Sequence, residues 1–493
     1  MRRVRTLLKA FAFGLGAIVL VGGVLYVFFG LQIVMDGGGT PHLRFLAPRD
    51  EQAARIAQHR EAQRAEAVAP AAPVTAALRP EAVEDSGPPA AGAASAAQVP
   101  DMPVSPLSWT SYRGPTRDGS YREAPVLTEW PRAGLTPVWK QPIGGGYASF
   151  VAARGRAFTI EQRGQDEVVA AYDIRTGREL WVNAWSTEFR ESMGGDGPRA
   201  TPTWADGVVY ALGAMGEFRA LEEATGRTLW RTNILTDSGA RNLDWGMAAA
   251  PLIVDETVVV LPGGPHGQSV VAYDRASGAR VWSAQDDMQA YASPMLVMLS
   301  GRRQLLVLSA TRLMGLTADG GQLLWEYPFA TYNGINAAQP LLLGGDRVFV
   351  SASYGAGAAV IEVSQVAESF AVREVWRNNR MKNRFSSSVL RDGVIYGLDE
   401  GILAAVDART GDLKWKGGRY GYGQLVLVGE SLVVLTEDGD LALVRAQPAS
   451  HQEVVRFPVL AGKTWNGPAL DGGYLLVRNL AEMAAFDLRT VEP

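Results

Sequence analysis

Short apolar runs alternate with turn residues along most of the chain, and one phrase keeps returning. In VVAAYDIRTGRELW, residues 168–181, an apolar run leads to Asp173, a turn follows with Thr176 and Gly177, and a second run ends at Trp181. An aspartate can accept hydrogen bonds from turn backbone, and glycine takes positive φ readily, so the phrase predicts a β-hairpin. A second pair of apolar runs precedes each hairpin, as in ATPTWADGVVYALG at 200–213. The predicted unit is four short antiparallel strands.

The terminal aromatic of this phrase recurs at spacings of 39 to 52 residues. The eight positions are Trp139, Trp181, Trp230, Trp282, Trp325, Trp376, Trp415 and Phe457. Four-strand units of this length predict a β-propeller, with each large flat ring packed between neighbouring sheets. The phrase at Trp139 stands alone, and the last three strands before Thr490 lack a closing aromatic. We therefore predict that they share one blade, which gives an all-β, eight-bladed propeller of four-stranded antiparallel blades over 109–490.

The first 108 residues follow a different pattern. Residues 10–35 contain no charged side chain, and several basic residues precede them. This pattern predicts a cytoplasmic basic tail over 1–9 and a transmembrane helix over 10–35, with everything after it outside the cytoplasm. Residues 36–108 are rich in Ala and Pro and predict a disordered linker containing a short exposed helix near 50–68. We expect a single-pass membrane protein whose propeller lies outside the cytoplasm.

The composition of the chain excludes several kinds of binding and catalytic site. The chain has 493 residues and a net charge of −4, which gives no basic domain for nucleic-acid binding. It has no cysteine and only four histidines, so disulfides, thiolate metal sites, cysteine nucleophiles and haem attachment are excluded. The Walker A, GxSxG and HExxH signatures are also absent. No catalytic signature is therefore identified, and enzymatic activity stays open.

The repeated phrase resembles a known family. The pattern Asp-x-x-Thr-Gly-x-x-x-Trp resembles the repeat of PQQ-type quinoprotein propellers, and WTSYRGPTRDGSY at 109–121 resembles the segment that opens many PQQ-binding-like propeller proteins. The resemblance implies the fold over nearly the whole folded chain. It does not imply one activity, because the family builds alcohol and sugar dehydrogenases as well as the propeller component of the outer-membrane β-barrel assembly machinery. The dehydrogenases typically carry adjacent cysteines under the cofactor, which this chain lacks.

In such a propeller, the segments that enter the innermost strands face one mouth of the central channel. Here they bring aromatic, amide and charged residues from different blades, a mixture typical of binding pockets. The candidates are Tyr147, Asp196, Arg199, Trp245, Tyr291, Asn336, Lys382, Arg384, Tyr422 and Trp465. The basic stretch 377–384 could receive an anion. We hypothesise that Arg199 and Arg384 point into one cavity. The alternative is structural. Small residues in these segments would let eight strands pack closely around the axis, and the candidate residues beside them would only cap the strand ends.

Two functions remain open from sequence. The first is a binding or scaffold module for envelope proteins, peptides or glycans, anchored in a bacterial inner membrane with its propeller in the periplasm and with no confirmed cofactor. The second is a PQQ-dependent dehydrogenase that oxidises an alcohol or sugar. The second needs a general base and a calcium ion held by oxygen ligands. The candidates are Asp196 as the base and Asp196, Asp244 and Asn336 as calcium ligands.

Overall fold

The computed structural model describes residues 21–26, 31–45, 49–68 and 104–490. Residues 21–26 are helical. The elements before the repeats are β1 (Leu31–Met35), β2 (Pro41–Phe45), α1 (Arg49–Val68), β3 (Ser120–Tyr121) and β4 (Trp139–Pro142).

Eight four-stranded blades follow, and in seven of them the strands run in chain order from the channel outwards. Blades 1 and 2 are β5–β8 (Val151–Ala153, Arg156–Arg163, Asp166–Asp173, Glu179–Ser186) and β9–β12 (Thr203–Ala205, Val208–Leu212, Glu217–Glu222, Thr228–Asn233), and the short helix α2 (Ile234–Ser238) comes next. Blades 3 and 4 are β13–β16 (Leu252–Val254, Thr257–Val260, Val270–Asp274, Arg280–Ala284) and β17–β20 (Met295–Leu299, Arg302–Leu308, Arg312–Thr317, Leu323–Pro328). Blades 5 and 6 are β21–β24 (Leu341–Gly344, Arg347–Ala352, Gly357–Val366, Ser369–Asn378) and β25–β28 (Val389–Arg391, Val394–Asp399, Ile402–Asp407, Leu413–Arg419). Blades 7 and 8 contain β29–β32 (Gln424–Val428, Ser431–Leu435, Asp440–Arg445, Glu453–Pro458) and β33–β35 (Ala469–Asp471, Tyr474–Arg478, Glu482–Asp487).

Ring closure follows the predicted scheme. The last three strands form one sheet with β4, which pairs antiparallel to β35 with Ala485 opposite Trp139. The eight-bladed, all-β architecture is confirmed. One addition was not predicted: β3 pairs parallel with β29 and gives blade 7 a fifth strand.

The recurring phrase explains how neighbouring blades pack. The Asp173 carboxylate accepts hydrogen bonds from the backbone N–H groups of Arg175 and Thr176, both at 2.9 Å. Gly177 has a φ of 70°, and a Cβ atom there would lie 2.7 Å from the Trp139 ring of the preceding blade. The Trp139 indole donates to the Ile174 carbonyl at 2.9 Å. Glycine is therefore required here both by the positive φ of the turn and by the close approach of the Trp139 ring.

A segment before the first blade closes one end of the channel. Arg117 is buried and donates to the carbonyls of Ala250 (3.2 Å) and Pro294 (2.8 Å), which lead into blades 3 and 4. Arg113 donates to the carbonyls of Ser388 (2.9 Å) and Leu425 (3.3 Å) in blades 6 and 7. Residues 109–121, called the plug below, thus cross the channel axis.

The predicted transmembrane helix is wrong at its C-terminal end. Leu31–Met35 forms a strand paired antiparallel with Pro41–Phe45, and the Asp36 carboxylate accepts the Thr40 backbone N–H at 2.7 Å. The polar turn DGGGT folds the chain back, so the apolar run continues as a hairpin. Within the four described ranges, no helix combines the length and hydropathy needed to cross a membrane. Residues 10–20 and 27–30 of the predicted span lie outside the described ranges.

The helix predicted near 50–68 is present, but it is not exposed on all sides as predicted. Ile56 and Arg60 are each only 2% exposed, because α1 packs against blades 8 and 1. The Arg60 guanidinium lies 3.2 Å from the Glu179 carboxylate, and Gln52 donates to the Leu480 carbonyl at 2.6 Å. Gln52, Ile56 and Arg60 are four positions apart and therefore share one face of the helix. Residues 46–48 and 69–103 of the predicted linker lie outside the described ranges.

Candidate binding cavity at the channel mouth

A cavity of about 330 Å³ lies inside the ring, between the plug and the β1–β2 turn. Tyr112 of the plug lines it, as do Gly37, Gly38 and Gly39 of the turn. Most of the wall comes from residues just before the innermost strands. Its aromatic members are Tyr147, Trp245, Tyr291, Tyr354, Phe385 and Trp465.

The aromatic side chains contact one another across blade boundaries. The Trp465 ring centre lies 4.6 Å from that of Phe385 and 5.1 Å from that of Tyr147. Trp245 and Tyr291 meet edge to face at 6.0 Å. Such contacts hold flat walls in fixed orientations, which suits a planar or apolar ligand group.

Arg384 brings a positive charge to this wall. Its guanidinium carbon lies 4.9 Å from the Tyr354 ring centre and 5.0 Å from that of Tyr422. Its Nε atom is buried without a hydrogen-bond partner, and its guanidinium also interacts with the Tyr354 hydroxyl. Within the described ranges no carboxylate lies at ion-pair distance from Arg384, and Glu400 attracts it only from farther away. A cation held by aromatic rings rather than by a carboxylate remains available to an anionic ligand.

Arg199 also lines the cavity, but its hydrogen bonds go to its own loop. It donates to the carbonyls of Gly195, at 2.6 Å, and Gly197, and its guanidinium lies 4.7 Å from the Phe189 ring centre. Burial lowers its pKa from the usual arginine value. The two predicted arginines thus share one cavity, with Arg199 fixing the loop and Arg384 offering its charge.

Two tyrosines of the wall are neutral hydrogen-bonding groups. Burial raises the pKa of Tyr147 and of Tyr291 well above the usual tyrosine value. The Tyr147 hydroxyl donates to the Gly194 carbonyl. Neither phenol supplies an anionic base near neutral pH.

Five sequence-predicted residues, Tyr422 among them, do not line this cavity. The Asp196 carboxylate accepts the Glu191 backbone N–H at 3.1 Å, and Asp244 is exposed. Asn336 is fully buried and donates to the Ser309 carbonyl at 2.8 Å, while Lys382 pairs with Glu400. Tyr422 lies behind the wall, where its ring contacts two lining residues, Phe385 and Arg384.

The expected calcium donors are therefore not assembled. Within 21–26, 31–45, 49–68 and 104–490, no group of three His, Asp or Glu side chains could hold a metal ion. Asp36 is the carboxylate that lines the cavity, and it is committed to its own turn and to His42 at 3.3 Å. The described residues do not fit a calcium-assisted oxidation, and we derive no step through that ion.

Sequence reasoning missed several residues of the site. The Glu437 carboxylate accepts the Gly37 N–H at 2.6 Å, the Trp465 indole N–H at 2.9 Å and the Tyr422 N–H at 3.0 Å. It thereby joins the hairpin turn to the cavity wall. One acid in a turn carries no periodic signal, whereas Phe385 lay within a segment already assigned to the mouth.

Comparison with known proteins places this architecture in a family. Residues 165–417, just over half of the chain, match the family model described as outer membrane protein assembly factor BamB. The chain belongs to this family of PQQ-repeat propellers. An outer membrane protein assembly factor BamB from Bordetella pertussis is 24% identical over 315 residues, covering 61% of this chain and 72% of the relative.

Solved structures show the same fold. BamB from Moraxella catarrhalis aligns with a TM-score of 0.52 and 16% identity, covering 73% of this chain and 100% of that structure. A quinohemoprotein alcohol dehydrogenase from Comamonas testosteroni aligns with a TM-score of 0.54 and 13% identity, covering 78% and 82%. The predicted quinoprotein-type resemblance is confirmed for the fold, which these two differently named proteins share.

Proposed function

We propose that this protein is a binding or scaffold propeller of the bacterial envelope that takes part in outer membrane protein assembly. The observation that carries the proposal is Arg384, a cation without an ion pair among the described residues, set in an aromatic wall that offers no calcium donor set. Family membership supports the biological setting.

The cavity suits a short piece of polypeptide. Its walls would accept an aromatic or aliphatic side chain, and Arg384 would hold a carboxylate by charge-assisted hydrogen bonds. Backbone carbonyls and the neutral Tyr291 hydroxyl would add orientation. The partner is thus an envelope protein with an exposed segment that combines apolar and acidic groups.

We further propose that the apolar sequence before the hairpin tethers the propeller to the inner membrane. Residues 10–30 contain no charge and, at 1.5 Å per residue in a helix, correspond to about 30 Å, the thickness of a bilayer core. The basic residues before them favour a cytoplasmic N-terminus and a periplasmic propeller.

A PQQ-dependent dehydrogenase is the second candidate. Two arginines in an aromatic cavity favour it, because PQQ is a planar molecule with carboxylates. The bound quinone would accept electrons from the substrate. Arg384 and the aromatic walls would hold and orient it, but the described cavity provides neither the calcium ligands nor an unengaged carboxylate base.

A complementation experiment tests the scaffold function. A host lacking this gene should contain less folded outer-membrane β-barrel protein, measured as the heat-modifiable fraction on gels. The wild-type chain should restore it and Arg384→Ala should not, since that variant removes the anion-binding charge. Arg302→Ala is the matched control, because Arg302 is exposed and lies outside the cavity.

Two results would oppose the proposal. Normal barrel levels in the deletion strain, or full restoration by a well-folded Arg384→Ala protein, would remove the assembly role. PQQ-dependent reduction of a dye by the purified protein with an alcohol or sugar would instead support the dehydrogenase.

A further inference from the structure

The β1–β2 hairpin has two unlike faces. Directly opposed residues of an antiparallel pair share a face, and Leu31 opposes Phe45 while Ile33 opposes Leu43. Ile33, Leu43 and Phe45 are 65%, 70% and 63% exposed. One face of the hairpin is therefore apolar and open to its surroundings.

The other face and the turn hold the hairpin on the propeller. Arg44, on the face opposite to Leu43, lies 3.4 Å from the Asp438 carboxylate. The Gly37 N–H donates to Glu437 at 2.6 Å, and Lys463 donates to the Met35 carbonyl at 3.3 Å. These contacts come from blade 7 and the segment leading into blade 8. Met35, at the turn end of the apolar face, reaches the cavity, whereas Ile33, Leu43 and Phe45 farther along that face stay exposed.

Large apolar side chains are also exposed on the opposite side of the mouth. Met288 is 69% exposed just before the cavity residue Tyr291, and Tyr332 is 84% exposed beside the cavity residue Asn333. Met193, which lines the cavity on the hairpin side, is exposed as well. Together with the hairpin they surround the mouth with apolar groups, an arrangement that usually marks a contact surface.

We propose that the mouth face of the propeller rests on the surface of a lipid bilayer, with the apolar face of the hairpin in the interface. This rests on the proposed tether. The hairpin begins at Leu31, directly after residues 10–30 of the proposed tether, and consecutive Cα atoms are only 3.8 Å apart. A tether that leaves the membrane there holds the hairpin at the interface, where exposed apolar side chains are stabilised.

The proposal orients the whole molecule. The cavity opens towards the bilayer, and the plug faces the periplasm. A partner would then be captured where it emerges at the membrane surface, and the soluble part of the periplasm would reach the opposite end of the ring.

The absence of cysteine makes the orientation measurable by single labels. Full-length Leu43→Cys, Met288→Cys and Met298→Cys proteins would each carry an environment-sensitive fluorophore and be reconstituted into vesicles of phosphatidylethanolamine and phosphatidylglycerol, with or without brominated acyl chains. Met298 is the matched control, since it is an exposed methionine near the far end of β17, away from the mouth. Unchanged far-ultraviolet circular dichroism would verify the fold of each variant.

We expect the label at 43 to shift to the blue and to be quenched several-fold more by brominated lipid than the label at 298, with the label at 288 intermediate. Equal weak quenching at 43 and 298 would overturn the proposal. Quenching at 43 with 288 as unaffected as 298 would overturn the orientation, because the hairpin alone would touch lipid. Alkaline carbonate extraction distinguishes a missing tether from a wrong orientation. A chain that carbonate releases from the vesicles has no tether, and this result would overturn both the tether and the present inference. Neither result bears on the complementation test of assembly.

Discussion

A single glycine in the repeated turn provides a quantitative test of how the blades hold together. Gly278 has a φ of 73°, and a Cβ atom there would lie 2.6 Å from the Trp230 ring of the preceding blade. Gly301 has nearly the same φ, 72°, but a Cβ atom there would meet nothing within 4 Å. Gly278→Ala and Gly301→Ala therefore share the backbone cost and differ in the contact between blades.

The expected destabilisation follows from these two contributions. An alanine in the left-handed region costs about 1–2 kcal/mol at either position. At Gly278 the added methyl must also displace the buried Trp230 ring, whose indole donates to the Arg275 carbonyl at 2.9 Å. Overpacking of this kind adds about 1–3 kcal/mol. We expect Gly278→Ala to cost about 2–5 kcal/mol in free energy of unfolding and Gly301→Ala about 1–2.

Urea unfolding of the full-length protein, followed by circular dichroism and tryptophan fluorescence, gives the comparison. Gly278→Ala should unfold at a clearly lower urea concentration than Gly301→Ala. Equal midpoints would contradict this expectation, because they would show that the tryptophan beneath the turn adds nothing to the cost.

Three other predictions concern the buried charged groups. Burial raises the pKa of Asp471 to about 7. The folded state keeps a proton on Asp471 that the unfolded state loses above the usual pKa of an aspartate. The free energy of unfolding should therefore fall as the pH rises from about 4 to about 7. In urea titrations, Asp471→Asn should flatten that fall. Arg60→Ala should speed amide hydrogen exchange in α1 while Arg55→Ala, on the exposed side of the helix, does not; equal exchange would contradict the docked helix. Arg117→Ala should cost about 3 kcal/mol or more by leaving buried carbonyls unpaired, against less than about 1 for the exposed Arg122→Ala, and equal urea midpoints would remove the role of the plug.

The ring was predictable because its signal repeats. Eight aromatic positions and their turn residues define the blades, and the incomplete phrases at the two ends define the closure. Once the innermost strand of a blade is located, the residues just before it can be assigned to the channel mouth. That placement brought Tyr147, Trp245, Arg384 and Trp465 to the cavity.

The remaining features depend on contacts that leave no pattern in one sequence. Asn336 stands in the right segment, but its side chain turns to satisfy buried carbonyls instead of the channel. Lys382 is drawn to Glu400. The run LQIVM reads equally well as the end of an apolar helix or as a strand, and only pairing with β2 and docking on Glu437 distinguish the two.

In the proposed function, the channel mouth binds envelope polypeptides through Arg384. The most direct measurement is photo-crosslinking in cells from position 332, at the exposed rim of the cavity, compared with position 366 at the tip of the β23–β24 hairpin. The account predicts crosslinks to outer-membrane β-barrel precursors from position 332 that disappear in Arg384→Ala, and none from position 366. Crosslinking that is equal at both positions, or that persists in Arg384→Ala, would contradict it.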